Sequence, residues 1–154
     1  MSDVRTPLTV FAPVPGRVVP MNDVPDPVFA ESLVGPGAAV DPTRSRQQAV
    51  APIGGRIVKL HPHAFVVVTK DGRGVLVHLG IDTVQLKGEG FILLAAEGDE
   101  VEVGAPVVEW DPAAVELGGR SPVCPVVALD ALTDDLTVVD EGEVAAGAEL
   151  FTWS

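Results

Sequence analysis

The sequence predicts an all-β chain, an antiparallel β-sandwich with duplicated hairpin elements and little helix. Three observations predict it. Short Val-rich runs recur along the chain, 16 glycines and 14 prolines punctuate its 154 residues, and two pairs of segments repeat one another. β-Branched residues suit a pleated, half-buried surface, and short strands closely spaced between turn residues suit a sandwich or barrel. Residues 1–154 read as one domain, with a leader of about residues 1–8.

In chain order, the runs read as strands are Leu8–Phe11, Arg17–Val19, Arg56–Leu60, Ala64–Thr69, Gly74–Leu79, Phe91–Ala96, Ala105–Trp110, Pro122–Leu129 and Leu136–Val139. Lys70-Asp71-Gly72 between two Val-rich runs is a hairpin signal. Asp111–Gly118 predicts one or two helical turns, with Asp111 as cap, Pro112 first and Gly118 as stop. Phe11–Val19 and Val50–Val58 share the pattern apolar-Ala-Pro-apolar-x-Gly-Arg-apolar-Val. Glu97–Val107 is echoed by Asp140–Leu150. Two copies of each element predict a duplicated β architecture.

Composition narrows the function. Apolar residues make up 47% and charged residues 21%, the balance of a globular chain with one core. The net charge of −12 excludes nucleic acid as a partner, because phosphate backbones attract Lys and Arg. It favours a partner with a basic face. Cys124 is the single cysteine, which excludes an internal disulfide and fits a reducing cytoplasm. A cysteine in an apolar strand reads as packed rather than reactive. No apolar run reaches the roughly 18 residues of a membrane helix, so no membrane insertion is expected. Neither is a signal peptide, and the expected location is the cytoplasm.

Chemistry concentrates in three histidines, His61, His63 and His78. If the chain turns at Lys70-Asp71-Gly72, the flanking strands are antiparallel neighbours. His63 at the start of one then lies near His78 at the end of the other. Paired imidazoles fit a nucleophile with an orienting donor, or a metal pair. Gly80 beside His78 is expected to leave room for a ligand or partner backbone. Phosphoryl transfer needs a neutral imidazole whose other ring nitrogen is held by an acceptor, with a second group donating to the phosphoryl oxygens.

The stretch Gly74-Val75-Leu76-Val77-His78-Leu79-Gly80-Ile81-Asp82-Thr83-Val84, continued by Gln85–Phe91, resembles the phosphorylation-site signature of glucose-type enzyme IIA domains of the sugar phosphotransferase system. His63-Ala64-Phe65 resembles the family's second active-site histidine segment, and Asp23–Glu31 the segment preceding the active-site strands. The resemblance runs from about Phe11 to Phe151. It implies an antiparallel β-sandwich and a phosphotransferase component that needs no cofactor. It also implies that His78 accepts a phosphoryl group from the phosphocarrier HPr and passes it to a cysteine of a permease IIB domain, while His63 hydrogen-bonds the phosphoryl group. The docking patch it implies is Val28, Phe29, Val34, Leu76 and Val84, an exposed apolar surface ringed by Asp26 and Asp82. Regulated permeases or kinases are further partners that the family suggests.

One departure stands out. The family usually has a Thr two residues before the first active histidine, in a slightly longer loop, and His61 takes that place here. It reads either as a substitute for the hydroxyl or as a surface residue. Two rival readings remain. Zinc held at His63 and His78, completed by His61 and Asp82, would make a zinc-dependent peptidase-like β protein. Lysostaphin-like peptidases share a duplicated β architecture with H-x-x-x-D and H-x-H motifs. Lys70 at a tight turn would suit a lipoyl-type carrier, though without the flanking pattern.

Overall fold

The computed structural model describes residues 6–139 and 142–154. Among these, the strands are β1 (Leu8–Phe11), β2 (Gly16–Pro20), β3 (Gly37–Pro42), β4 (Gln47–Val50), β5 (Gly55–His61), β6 (Ala64–Val68), β7 (Gly74–His78), β8 (Ile92–Leu93), β9 (Glu100–Val101), β10 (Pro106–Trp110), β11 (Cys124–Ala128), β12 (Leu136–Val138), β13 (Glu143–Val144) and β14 (Glu149–Trp153). Helix is confined to α1 (Pro27–Ala30), α2 (Pro112–Leu117) and three short 3-10 turns. An eight-stranded sheet runs β13-β2-β3-β11-β7-β6-β5-β9, and two three-stranded sheets run β1-β14-β12 and β4-β10-β8. Every strand pairing is antiparallel.

The predicted duplication is real in register. Gly16 and Arg17 of β2 face Val144 and Glu143 of β13, while Gly55 and Arg56 of β5 face Val101 and Glu100 of β9. Both glycines are required by close backbone approach. A Cβ on Gly16 would lie 2.0 Å from the Asp41 carbonyl oxygen, and one on Gly55 2.3 Å from that of Val68.

The main core gathers Val10, Phe65, Val75, Val77, Trp110, Val126 and Phe151 between the sheets. A second, smaller cluster of Met21, Val24, Phe29, Ala39, Ile81 and Val127 lies beneath α1 and the adjoining 3-10 turn. The large sheet therefore buries apolar side chains on both faces around β3, β7 and β11. That second layer positions the site.

Several elements differ from expectation. β3 escapes the Val-rich criterion because its strand is Gly-Ala-Ala-Val-Asp-Pro. The capped helix at Asp111 forms as expected, with the Asp111 carboxylate accepting from the Ala113 N–H and Gly118 at the end. The same Asp-Pro signal, unread at Asp26-Pro27, starts α1. Phe91–Ala96 shrinks to the two residues of β8. Leu8 belongs to β1 rather than to a leader, and residues 1–5, like Asp140 and Glu141 of the second repeat, lie outside the described residues.

Candidate functional site

The pleat of β7 decides where His78 points. Val75 and Val77 enter the main core, while Leu76 packs on the second cluster and His78 shares its face. The half-buried His78 ring rests against Phe29 at 5.2 Å between centroids, tilted by 58°. Its Nδ1 lies 2.5 Å from the Gly80 carbonyl oxygen. A carbonyl can only accept, so Nδ1 carries the proton and Nε2 keeps the lone pair.

Gly80 plays a different part from the one expected. It is buried with φ +82°, and a Cβ there would meet the Thr83 Cγ2 at 2.7 Å and the Ser121 carbonyl oxygen at 3.2 Å. Its missing side chain opens no space for a ligand. The left-handed backbone instead aims the carbonyl at His78. Buried Thr83 closes the turn, its Oγ1 donating to the Leu79 carbonyl at 2.8 Å.

His63 and His78 meet, by a route one residue away from direct opposition. Ala64 faces His78 across the β6–β7 ladder. His63 precedes it in the two-residue turn after Pro62, since His61 pairs Ala64. The Leu79 N–H donates to the His63 carbonyl at 2.7 Å, extending the ladder into the turn. Freed from strict strand alternation, the His63 ring meets His78 in a T-shaped pair, with centroids 5.2 Å apart and planes at 69°. His61 is exposed at the end of β5 and stacks on His63 at 5.8 Å and 22°.

Electrostatics keep the pair neutral. Burial, then repulsion from His78 and His61, pushes His63 below its ordinary value of 6.5. Burial also lowers His78 below 6.5, against the opposing pull of the Gly80 carbonyl, Asp26 and Asp82. At neutral pH both rings are therefore uncharged.

The residues expected to form the docking patch divide. Val28 is 42% exposed and Val84 59%, while Val34 and Leu76 are half-buried. Phe29, expected in the exposed patch, is only 7% exposed, because its ring fills the cluster under α1 and backs His78. Asp26 is committed to capping α1, its carboxylate accepting from the Val28 N–H at 2.9 Å. Asp82 is exposed with φ +59° at the head of a 3-10 turn. Leu33 was missed by the sequence reading. It is 68% exposed and its N–H donates to the Val28 carbonyl, which puts it beside Val28. A Leu between the Asp23–Glu31 segment and Val34 was the available signal.

The zinc-cage reading does not fit. Among the described residues no group of three or more His, Cys, Asp or Glu could hold a metal ion, so His61, His63, His78 and Asp82 make no cage. His63 and His78 offer two ligands where zinc takes four. Cys124 is fully buried on the core face of β11, and burial raises its thiol pKa far above the ordinary range. A cleft of about 830 Å³ between Arg56, Val58, Lys70 and Glu102 contains none of the histidines.

An antiparallel β-sandwich that presents one paired, neutral, tautomer-fixed imidazole beside an apolar surface has the build of a phosphocarrier. The chain belongs to the family of phosphoenolpyruvate-dependent sugar phosphotransferase system EIIA 1 domains, which matches residues 8–133. It is 37% identical to the PTS system glucose-specific EIIA component of Staphylococcus aureus (strain Mu50 / ATCC 700699), over 94% of this chain and 88% of that one. It is 42% identical to the PTS system glucose-specific EIIA component of Haemophilus influenzae, over 90% of this chain and 83% of that one. The solved glucose permease IIA from Mycoplasma capricolum superposes with a TM-score of 0.88 and 32% identity, covering 99% of each chain. Among the described residues no helix is long and apolar enough to cross a membrane.

Proposed function

We propose that His78 is the phosphoacceptor of this phosphotransferase component, that phospho-HPr is the donor and that a cysteine of a permease IIB domain is the acceptor, all in the cytoplasm. The observation that carries the proposal is the His78 ring itself, with Nδ1 tied to the Gly80 carbonyl and Nε2 left free beside His63. The Nε2 lone pair attacks the donor phosphorus. The phosphorus–nitrogen bond of the donor breaks as the new one forms, and its electron pair returns to the donor ring. His78 keeps its Nδ1 proton, and the Gly80 carbonyl supports the positive charge that develops on the ring. His63 donates to the phosphoryl oxygens. Phe29 and Leu76 limit water at the ring, so the group is passed on to the IIB thiolate rather than hydrolysed. Val28, Leu33 and Val84 form the contact face, with Asp82 steering a basic donor. The same face would serve regulated permeases or kinases in the unphosphorylated state.

The test is incubation with phosphoenolpyruvate, enzyme I and HPr, read by intact mass. Wild type gains one acid-labile, base-stable phosphoryl group, and His78→Gln gains none. His63→Gln still accepts but transfers onward slowly. Wild-type uptake by His78→Gln would overturn the assignment.

A further inference from the structure

We propose that His61 is a positioning residue of this site, its imidazole stacked on that of His63 and setting the angle at which the His63 ring meets His78. The inference rests on the phosphocarrier reading and concerns how the second histidine is held.

The two rings that face the reacting region are held differently. His78 has a hydrogen-bond acceptor, the Gly80 carbonyl, and a ring against it, Phe29. The side chain of His63 makes no hydrogen bond to protein among the described residues, and its place is in a two-residue turn rather than a strand. A half-buried ring without an anchor would sample several rotamers, and a donor that wanders donates poorly. Two rings pack against His63, His78 at a steep angle and His61 nearly parallel.

The local backbone makes the stack. His61 closes β5 opposite Ala64, and Pro62 has a ring-locked φ, so the side chains of residues 61 and 63 emerge side by side from a tight turn. That turn is braced from outside, because a Cβ on Gly88 would stand 3.2 Å from the Pro62 ring. Ala64 is the residue that faces His78 across the ladder, and its side chain is only a methyl group. His61 itself is exposed and makes no side-chain hydrogen bond to protein among the described residues. Its ring-to-ring contact at 5.8 Å and 22° is what it has to offer. The ordering is then a chain of three rings, stacked between His61 and His63 and T-shaped between His63 and His78.

The test compares His61→Ala with His61→Phe in the full chain, measuring acceptance from phospho-HPr and onward transfer to a IIB domain separately. The spectroscopic readout is the ring-proton shifts and side-chain ¹⁵N shifts of His63. His61→Ala is expected to leave acceptance unchanged and to slow onward transfer by about 2- to 10-fold, the rate equivalent of losing one aromatic pair. It should also average the His63 ring signals. His61→Phe keeps the stack and should restore both. A thermal melt checks that neither variant is simply less folded. Onward transfer and His63 signals in His61→Ala that match wild type would overturn the proposal, as would a His61→Phe that fails like His61→Ala. Failure of the phosphocarrier reading itself is seen independently, as a wild-type chain that takes no phosphate.

Discussion

Replacing Gly80 by Ala strikes the geometry that prepares His78, and its size can be worked out. The residue sits at φ +82°, where a Cβ meets the following backbone and costs about 1–2 kcal/mol. The same Cβ would stand 2.7 Å from Thr83 Cγ2 in a buried turn, and overpacking of that kind costs about 1–3 kcal/mol. Together the loss is roughly 2–5 kcal/mol, or about 5–15 °C of melting temperature for a domain of this size. The cheapest relaxation turns the Gly80 peptide, and that takes its carbonyl off Nδ1 of His78. Losing a neutral hydrogen bond worth about 0.5–1.5 kcal/mol lets the wrong tautomer compete and slows phosphoryl acceptance by roughly 2- to 12-fold. Urea unfolding followed by circular dichroism gives the first quantity. Initial rates of mass gain from phospho-HPr, well below the unfolding midpoint, give the second. Adding Thr83→Ser removes the Cγ2 obstacle and keeps the hydroxyl on the Leu79 carbonyl. The double variant should regain the clash component and retain the penalty at positive φ. A Gly80→Ala protein as stable and as fast as wild type would refute the reasoning.

Other consequences can be checked alongside. Because His63 and His78 titrate below 6.5 in the folded chain, the unfolded chain binds protons first as pH falls through 6.5, so stability is full above that value and declines below it. Unfolding measured from pH 7.5 to 5 should show this slope, and the His63→Gln/His78→Gln double variant should flatten it. Phosphoryl acceptance should likewise hold its rate through pH 6.5 and fall only under more acid conditions, and a decline already complete at pH 6.5 would contradict a neutral, buried His78. Phe29→Ala should cost about 3–5 kcal/mol of stability, since it empties the cluster beneath α1, whereas exposed Val84→Ala should leave stability intact and speed dissociation of the donor. Asp82→Asn, tolerated at positive φ, should slow association with HPr at low salt and lose its effect as salt rises, which stopped-flow rates against ionic strength would show.

Strand alternation and the hairpin at Lys70-Asp71-Gly72 bring His63 and His78 together from the sequence alone, because both follow from local chemistry. The exact register did not follow. Ala64 rather than His63 faces His78, and the difference lies in how many residues the Thr69–Arg73 loop consumes, which its side chains do not announce. Gly80 was recognised as significant for the wrong reason, since sequence shows that a side chain is missing but not which neighbours fill its place. Phe29 was placed on the surface because residues around it are, and burial of a single ring depends on packing among α1, β3 and β11, which are distant in sequence. The strands β3, β9 and β13 are held by partners rather than by composition, and so carry little signal of their own.

The duplication explains why the chain has one such site and not two. The large sheet has an internal two-fold relation that passes between Val77 and Val126, which pair with each other, and exchanges β7 with β11, β6 with β3, β5 with β2 and β9 with β13. The relation holds in its hydrogen bonds: the Leu79 N–H donates to the His63 carbonyl at 2.7 Å, and the Ala128 N–H donates to the Pro36 carbonyl at 2.8 Å. Val127 therefore stands where His78 stands, and Pro36 where His63 stands. Neither offers a ring nitrogen, so the second copy has the scaffold without the chemistry. The connections differ as well. β5 and β6 are joined by Pro62 and His63, whereas β2 and β3 are joined by residues 21–36, which include α1. That longer connection folds over the outer face of the sheet and places Phe29 against His78. The site is thus assembled from both halves, the histidines, the Gly80 carbonyl, Leu76 and Val84 from one and Phe29, Val28 and Leu33 from the other. Neither half repeats it, because a short turn is needed to deliver His63 and a long one to cover His78.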